Sequence, residues 1–300
     1  MDKKENKLKP FLKWAGGKGQ LLNNIRKMYP EEMGREIKKY AEPFVGGGAV
    51  LFDILESFNL EEVYISDINS ELINTYTMIR DNVEYVIEML ESMSLEYIPI
   101  EKDERKLYYY EKRERFNYIK MNYSGTFNVE SAALFIFLNR TCFNGLYRVN
   151  SKGLNNVPMG SYKNPTICDE NNLRNISIAL KNVIITCGDY RECENFVDNN
   201  TFVYFDPPYR PLSETASFTS YSENVFDDTS QTELAEFVGL LHKKGAKIVV
   251  SNSDPKNADE NDCFFDKLYS GYKITRVNAK RTINCNANFR GNVTELIIYN

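Results

Sequence analysis

The sequence predicts an α/β protein, a doubly wound and largely parallel sheet that carries a helical insertion. Three observations support this. Apolar runs of strand length recur at Val63-Tyr64-Ile65, Val183-Ile184-Ile185, Phe202-Val203-Tyr204-Phe205 and Ile248-Val249-Val250, with helical stretches between them. A glycine turn, Val45-Gly46-Gly47-Gly48, lies between a strand-like and a helix-like segment. The strand signals pause over residues 81–168 and then resume, which fits one sheet interrupted by an insertion. The predicted organisation is a sheet domain of residues 1–80 and 169–300 with an insertion of residues 81–168.

In chain order, Phe11-Leu12-Lys13-Trp14-Ala15-Gly16-Gly17-Lys18 reads as a glycine loop opening a helix over Gln20–Met28, beside the only tryptophan. It is not a P-loop, because the G-x-x-x-x-G-K-[ST] spacing is missing. Lys39–Phe44 reads as a strand, Gly46–Gly48 as its turn and Ala49–Phe58 as a helix, together the nucleotide-binding corner of a Rossmann-like sheet. Val63–Asp67 is a second strand ending in an acid, about 20 residues past the glycines, the spacing at which an acid holds ribose hydroxyls. Asp67 also fits as a helix N-cap before Ser70–Arg80. Residues 81 to about 123 read as charged helix broken at Pro99, and Val129–Leu138 as a core helix.

After Asp169, an N-cap for Glu170–Leu180, Val183–Cys187 reads as a third strand followed by Gly188-Asp189-Tyr190. The fourth strand runs into Asp206-Pro207-Pro208-Tyr209; proline ends it, having no N–H for the sheet and a fixed φ. Ser213–Asp228 is expected to be a mobile loop. Thr229–Lys244 reads as an amphipathic helix, Lys247–Ser251 as a strand, Glu260–Tyr269 as a helix, and Tyr272–Val277 with Thr294–Tyr299 as a closing hairpin-like pair.

Composition excludes several classes. No apolar run approaches the roughly 20 residues of a membrane span. The charged opening Met1-Asp2-Lys3-Lys4-Glu5-Asn6 lacks the apolar core of a signal peptide, so a cytoplasmic location is expected. The six cysteines form no C-x-x-C pair and there is one histidine, His242, so neither a metal site nor a histidine base is expected. The net charge is −5, yet it is segregated. Residues 131–168 contain no acid and carry Arg140, Arg148, Lys152 and Lys163; residues 272–293 contain none and carry Lys273, Arg276, Lys280, Arg281 and Arg290. Such segregation gives a basic face on an acidic protein.

The stretch 139–160 is rich in Asn, Gly, Arg and aromatic residues. It is expected to build no core and to form a hairpin entering a DNA groove. Asparagine and arginine offer bidentate hydrogen bonds to adenine and guanine edges, and Phe143, Leu146 or Pro158 can wedge between base steps. Asp206 beside a proline carbonyl gives two acceptors, suited to an amino group whose nitrogen must attack. An exocyclic base amine is a poor nucleophile until its lone pair is freed from the ring. Tyr209 can stack on such a base, which must be flipped from the duplex at a cost of a few kcal/mol. Asp67, Asp189 and Asp206 are expected to face one crevice.

Lys13-Trp14-Ala15-Gly16-Gly17-Lys18, Glu42-Pro43-Phe44-Val45-Gly46-Gly47-Gly48, Ser66-Asp67-Ile68-Asn69, Gly188-Asp189-Tyr190 and Asp206-Pro207-Pro208-Tyr209 stand in the order seen in Dam-like DNA adenine-N6 methyltransferases. The resemblance covers nearly the whole chain. It implies S-adenosylmethionine as methyl donor, no metal, double-stranded DNA as partner and a Rossmann-like methyltransferase sheet with one antiparallel strand near its end. Trp14, Lys18, Asp67 and Asp206 fall on donor-binding positions, with Gly17, Phe44, Gly46, Gly48 and Tyr190 as secondary contacts. Asp206, Pro207 and Tyr209 fall on the positions that bind the target amine.

Asn144-Gly145-Leu146 to Arg148, then Asn156-Val157-Pro158-Met159-Gly160, resembles the recognition hairpin of enzymes that methylate adenine in GATC. Lys13 and Arg148 would contact guanines, and Phe143 and Asn144 would act near the vacancy left by the flipped adenine. Arg140, Leu146 and Pro158 complete the expected DNA-binding set. This chain has Asn155 where family members often have phenylalanine. A monomer, with or without a companion restriction endonuclease, is expected.

Other readings compete. A cytosine-C5 methyltransferase needs a cysteine nucleophile, usually after proline, and no Pro-Cys dipeptide occurs. Cytosine-N4 enzymes more often carry serine at the Asp206 position, and protein-glutamine methyltransferases asparagine. A nicotinamide oxidoreductase would use Gly46–Gly48 and Asp67 but leave Asp206–Tyr209 idle. A non-catalytic DNA-binding module would need neither.

Overall fold

The computed structural model describes residues 7–122, 128–210, 226–280 and 292–300. The expected loop over 213–228 lies almost wholly outside them, as do Arg281, Cys285 and Arg290. The elements in order are α1 (Leu22–Ile25), β1 (Lys39–Glu42), α2 (Ala49–Ser57), β2 (Glu62–Asp67), α3 (Ser70–Tyr97), α4 (Lys102–Asn122), α5 (Val129–Thr141), α6 (Glu170–Leu180), β3 (Val183–Cys187), β4 (Thr201–Phe205), α7 (Asp228–Lys243), β5 (Lys247–Ser253), α8 (Phe264–Leu268), β6 (Lys273–Lys280) and β7 (Asn292–Tyr299).

The strands form a seven-stranded sheet in the order β3-β2-β1-β4-β5-β7-β6. β1 runs parallel to β2 and β4, β4 runs parallel to β5, and β7 is antiparallel to both β5 and β6. This is the mixed α/β, mostly parallel sheet that the alternation of apolar runs and helices predicts. β7 is the antiparallel strand near the end. β4 is buried along its whole length, as a strand covered on both faces must be. The order reverses between β1 and β4, so β4 delivers Asp206 to the switch point where open α/β sheets take ligands.

The chain divides into two compact units interleaved in sequence. One is Met1–Gly17, Gly46–Ser57 and Asp67–Gly188; the other is Lys18–Val45, Phe58–Ser66 and Asp189–Asn300. Residues 81–168 all belong to the first unit, together with the glycine turn and Trp14.

Several elements differ from expectation for local reasons. The helix predicted over Gln20–Met28 is three short pieces: a 3-10 turn at Lys18–Gln20, then α1, then another 3-10 turn at Arg26–Met28. Leu21, at the N-cap of α1, offers no side-chain acceptor to start a longer helix. α8 begins later than Glu260, because the carboxylates of Asp259 and Asp262 take the N–H groups of Asn261 and Phe264 in tight turns. α3 runs on to Tyr97 through a kink at Asn82 (φ −139°, ψ 34°).

Candidate functional site

In the second unit, Lys18 and Asp206 form an ion pair of 2.7 Å, the lysine side chain 5% exposed and the aspartate 20%. Burial pushes the Asp206 carboxyl up to about 6, while the Lys18 ammonium pulls it down and Glu295 adds a small upward push. The same ammonium lies 4.6 Å above the centre of the Tyr209 ring. The Tyr209 phenol donates to Glu295 Oε2 at 2.6 Å, and burial holds its pKa well above 10, so it stays protonated. Pro207 is buried between acid and ring. Phe44 stacks on Tyr190 with centroids 5.3 Å apart, and both pack on Phe226.

In the first unit, the glycine turn closes on Asp67. Asp67 Oδ2 accepts the Gly46 N–H at 3.1 Å and Oδ1 the Asn69 N–H at 3.0 Å. Burial raises the pKa of this carboxyl above its usual value, and the N–H donors of Asn69, Gly46 and Ile68 act against it. The N-cap of α3 is Asn69, which accepts from Leu72 N at 2.9 Å, so Asp67 is not needed as the cap. A carboxylate has about four lone-pair sites, and the N–H groups of Gly46, Asn69 and Ile68 leave acceptor capacity for a further donor such as a hydroxyl. The half-buried Asp67 thus fits the ribose of a nucleoside cofactor.

The glycines of the turn also answer a local steric need. Gly48 has φ +73°, and a Cβ there would clash with the Tyr76 hydroxyl. A Cβ at Gly46 (φ +47°) would meet Trp14 Cδ1 at 2.9 Å. The space that glycine opens is filled by Trp14 and Tyr76 of the chain itself; the Tyr76 hydroxyl donates to the Gly46 carbonyl at 3.0 Å. Gly17 is exposed and turns back on Trp14 through a 3.1 Å backbone bond. The exposed Asp189 carboxylate caps the 3-10 turn Tyr190–Asn195 in a capping box with Glu192 and pairs with Arg191.

The stretch 139–160 folds back as an antiparallel excursion, with backbone bonds Phe143 N to Pro158 O at 2.9 Å and Asn156 N to Arg148 O at 3.2 Å. The expectation that it builds no core is corrected. Tyr147 and Val157 are buried, because α3, α4 and α5 supply partners that the stretch lacks by itself. Tyr147 stacks on Trp14 at 5.8 Å, and its hydroxyl donates to Glu71, which also pairs with Lys120 at 2.6 Å. Asn155, the departure from the family pattern, is buried. Its N–H donates to Asn117 Oδ1, and its carbonyl accepts from Asn117 Nδ2.

The tip is left exposed. Phe143 is 51% exposed, and Asn144 stands at φ +55°, a conformation asparagine tolerates better than most residues. Pro158 and Arg148 are exposed and Leu146 is half-buried; Arg148 holds Asn156 Oδ1 at 2.7 Å. Lys13 is exposed with its ammonium 3.9 Å over the Tyr162 ring, and its N–H donates to Asn139 Oδ1 at 2.8 Å. Arg140 is turned the other way: its guanidinium donates to the Phe11 carbonyl at 3.1 Å. Burial lowers its pKa, as befits a guanidinium turned toward backbone carbonyls. Among the described residues no group of three metal-ligating side chains occurs, and no helix is long and apolar enough to cross a membrane.

Sequence reasoning missed Glu295, Gln231 and Asn252, each reaching the Pro208–Arg210 backbone or side chains from a distant strand or helix. No local signal marks them.

A mostly parallel sheet with an acid–proline–proline–aromatic turn after its central strand, and a glycine corner closed on an acid, defines a Rossmann-like methyltransferase. Residues 14–283 match the D12 class N6 adenine-specific DNA methyltransferases, and the chain belongs to that family. It is 50% identical over 295 residues to the Type II methyltransferase M.MjaIII of Methanocaldococcus jannaschii, covering 98% of this chain and 99% of that protein. It is 38% identical over 302 residues to the Type II methyltransferase M1.LlaDCHI of Lactococcus lactis subsp. cremoris, covering 100% and 98%. Against a DNA adenine methylase of Haemophilus influenzae the identity is 36% over 292 residues, covering 97% and 93%. The protein is an adenine-specific DNA methyltransferase, and its family implies S-adenosylmethionine as donor.

Proposed function

We propose that the protein methylates N6 of a flipped adenine within GATC in double-stranded DNA, with Asp206, Pro207 and Tyr209 as the amine-binding residues. The observation that carries the reading is the acceptor–ring arrangement after β4. Asp206 already holds one nitrogen cation at 2.7 Å, and that cation lies over the Tyr209 face. An adenine amine in place of the ammonium would donate to Asp206 and the Pro207 carbonyl while the base stacks on Tyr209.

S-adenosylmethionine, when bound, supplies an electrophilic methyl group on sulfur. Asp67 is assigned to the ribose hydroxyls, and Trp14, Gly17, Lys18, Phe44, Gly46, Gly48, Tyr190 and Asp206 are assigned to the rest of the donor by their place in the family's motifs. Two acceptors on N6 favour a pyramidal nitrogen and free its lone pair for attack. Asp206 need not deprotonate neutral adenine, because the amine becomes cationic and acidic once it carries the methyl group. Much of the rate then comes from positioning.

GATC rests on the motif order around the exposed tip. Lys13 and Arg148 are assigned to guanines, and Phe143, Asn144, Leu146 and Pro158 to the region of the displaced base. Arg140 leaves this set because its guanidinium braces Phe11. The catalytic sheet is assigned to 1–80 and 169–300, with target recognition in 81–168, in a monomer acting in the cytoplasm with or without a companion endonuclease. Tritiated-methyl transfer to duplexes with and without GATC tests the sequence. Incorporation only into the first is expected; incorporation into both overturns the GATC assignment. Asp206→Ala should abolish transfer while duplex binding persists, and turnover near wild type would remove Asp206 from its role.

A further inference from the structure

The turn Pro208-Tyr209-Arg210 carries no regular secondary structure, yet its backbone is fixed on both sides of Tyr209 by side chains remote in sequence. On one side, Gln231 Nε2, from α7, donates to the Pro208 carbonyl at 3.0 Å. On the other, Ser253 Oγ, at the end of β5, donates to the Arg210 carbonyl at 3.2 Å, and Asn252 Oδ1 lies 3.5 Å from the Arg210 N–H. The two sides are joined: Asn252 Nδ2 donates to Gln231 Oε1 at 2.9 Å, while Asn252 Oδ1 also accepts the Ser253 N–H at 2.9 Å.

Gln231 is 0% exposed and Asn252 1%. Burying two primary amides is unfavourable unless their hydrogen bonds are made. These bonds run from strand to helix to the turn, and they end at the carbonyl one residue before Tyr209. A proline tether restricts φ but leaves ψ free, so the two prolines alone do not set the direction of the Pro208 peptide. The Gln231 amide sets it.

We propose that Gln231 and Asn252 are positioning residues for adenine methylation, a buried amide relay that holds the Pro208–Arg210 backbone so that the Pro207 carbonyl and the Tyr209 ring keep their orientation toward the target base. The inference rests on the assignment of Asp206, Pro207 and Tyr209 as amine-binding residues. Neither amide touches substrate. A near-attack geometry is sensitive to displacements of about 1 Å, which can lower the rate by about 100-fold without loss of ligand binding. The relay therefore acts on kcat and not on affinity.

The test measures kcat at saturating donor and GATC duplex, equilibrium binding of S-adenosylhomocysteine and of duplex, and thermal stability. Gln231→Met keeps the side-chain volume and removes both hydrogen bonds. Gln231→Glu keeps an acceptor for Asn252 and replaces the donor to Pro208 by a carboxylate. Both are expected to lower kcat at least tenfold with both binding constants within twofold of wild type. An equal fall in the two variants assigns the effect to the lost donor at Pro208. If either variant does not fold, Asn252→Asp, which keeps the acceptor for Ser253 and removes the donor to Gln231, is expected to show the same split. Wild-type kcat, or a fall in kcat matched by equal losses of both affinities, overturns the proposal. Asp206→Ala is measured alongside. If it turns over normally, the underlying assignment fails; if it is inactive and the Gln231 variants are normal, only the relay fails.

Discussion

The Lys18 ammonium stands 2.7 Å from the Asp206 carboxylate and 4.6 Å over the Tyr209 ring, so one cation makes the two contacts assigned to the target adenine. Base and ammonium cannot share that place, and the position of the lysine sets the charge on the acid. The ionised carboxylate is the stronger acceptor for the N6 hydrogens and offers both oxygens. Asp206 is raised to about 6 by burial, so its acceptor form is present above that pH and is lost as pH falls through it. The profile of kcat/KM should show an acid limb near 6 in the free enzyme. Lys18 lowers the Asp206 pKa through its charge and its hydrogen bond. Lys18→Met should therefore move the limb to higher pH, whatever it does to the absolute rate. A limb that stays in place would show that Asp206 does not control it.

Tyr209 and Glu295 make the second close relationship in this cluster, a phenol–carboxylate bond of 2.6 Å. Tyr209→Phe keeps the stacking face and leaves Glu295 without its donor. Methyl transfer should survive within about tenfold, whereas Tyr209→Ala, which loses base stacking worth about 1–3 kcal/mol, should lose more. The ratio of the two rates in a single-turnover assay checks this. Equal losses would mean that the hydroxyl, not the ring, is the working part.

Gly48 gives a stability prediction. At φ +73°, with the Tyr76 hydroxyl in the way of a Cβ and Phe52 3.0 Å from it, alanine meets both backbone strain and overpacking. Gly48→Ala should destabilise the fold by roughly 2–4 kcal/mol. Denaturant unfolding measures it, and Tyr76→Phe in the same background should recover part of the loss by removing the clashing oxygen.

The sheet was legible because its buried strands are unbroken apolar runs, and Asp206–Tyr209 because two prolines after such a run leave little else for the chain to do. The supports of that turn were not. Glu295 reads as an ordinary polar position in a closing strand, and Gln231 as a surface glutamine of an amphipathic helix. Their roles come from β7 and α7 meeting the turn far along the chain. The 139–160 stretch was misjudged as coreless for the same reason. The partners of Tyr147 and Val157 come from outside the stretch, Trp14 and Phe135 of α5 against Tyr147 and Tyr109 of α4 on the Val157 carbonyl.

Trp14 reports on that packing. As the only tryptophan, stacked on Tyr147 at 5.8 Å with ring planes 22° apart, it gives a fluorescence signal for the seat of the 139–160 stretch. Tyr147→Leu should change the emission of Trp14 and weaken duplex binding, while Tyr147→Phe, which keeps the ring and loses the bond to Glu71, should leave the emission near wild type. Unchanged emission in the leucine variant would separate the tryptophan from the stretch.

Two arginines close in sequence should behave oppositely. Arg148 is exposed, and the acceptors it holds, Asn156 Oδ1 and the Asn156 carbonyl, fix its guanidinium before any base arrives. A guanidinium fork on a guanine edge supplies about 1–3 kcal/mol of discrimination. Arg148→Ala should therefore relax the preference for one base of the site, read as the ratio of kcat/KM on duplexes differing at single positions, with less change on the others. Arg140 holds the Phe11 carbonyl and is half-buried. Arg140→Gln should lower the melting temperature and leave the base preference intact. The slope of duplex affinity against salt separates them further: a lost phosphate contact reduces it by about one. That slope should be unchanged for Arg140→Gln, because its charge faces backbone carbonyls and displaces no counterion from DNA.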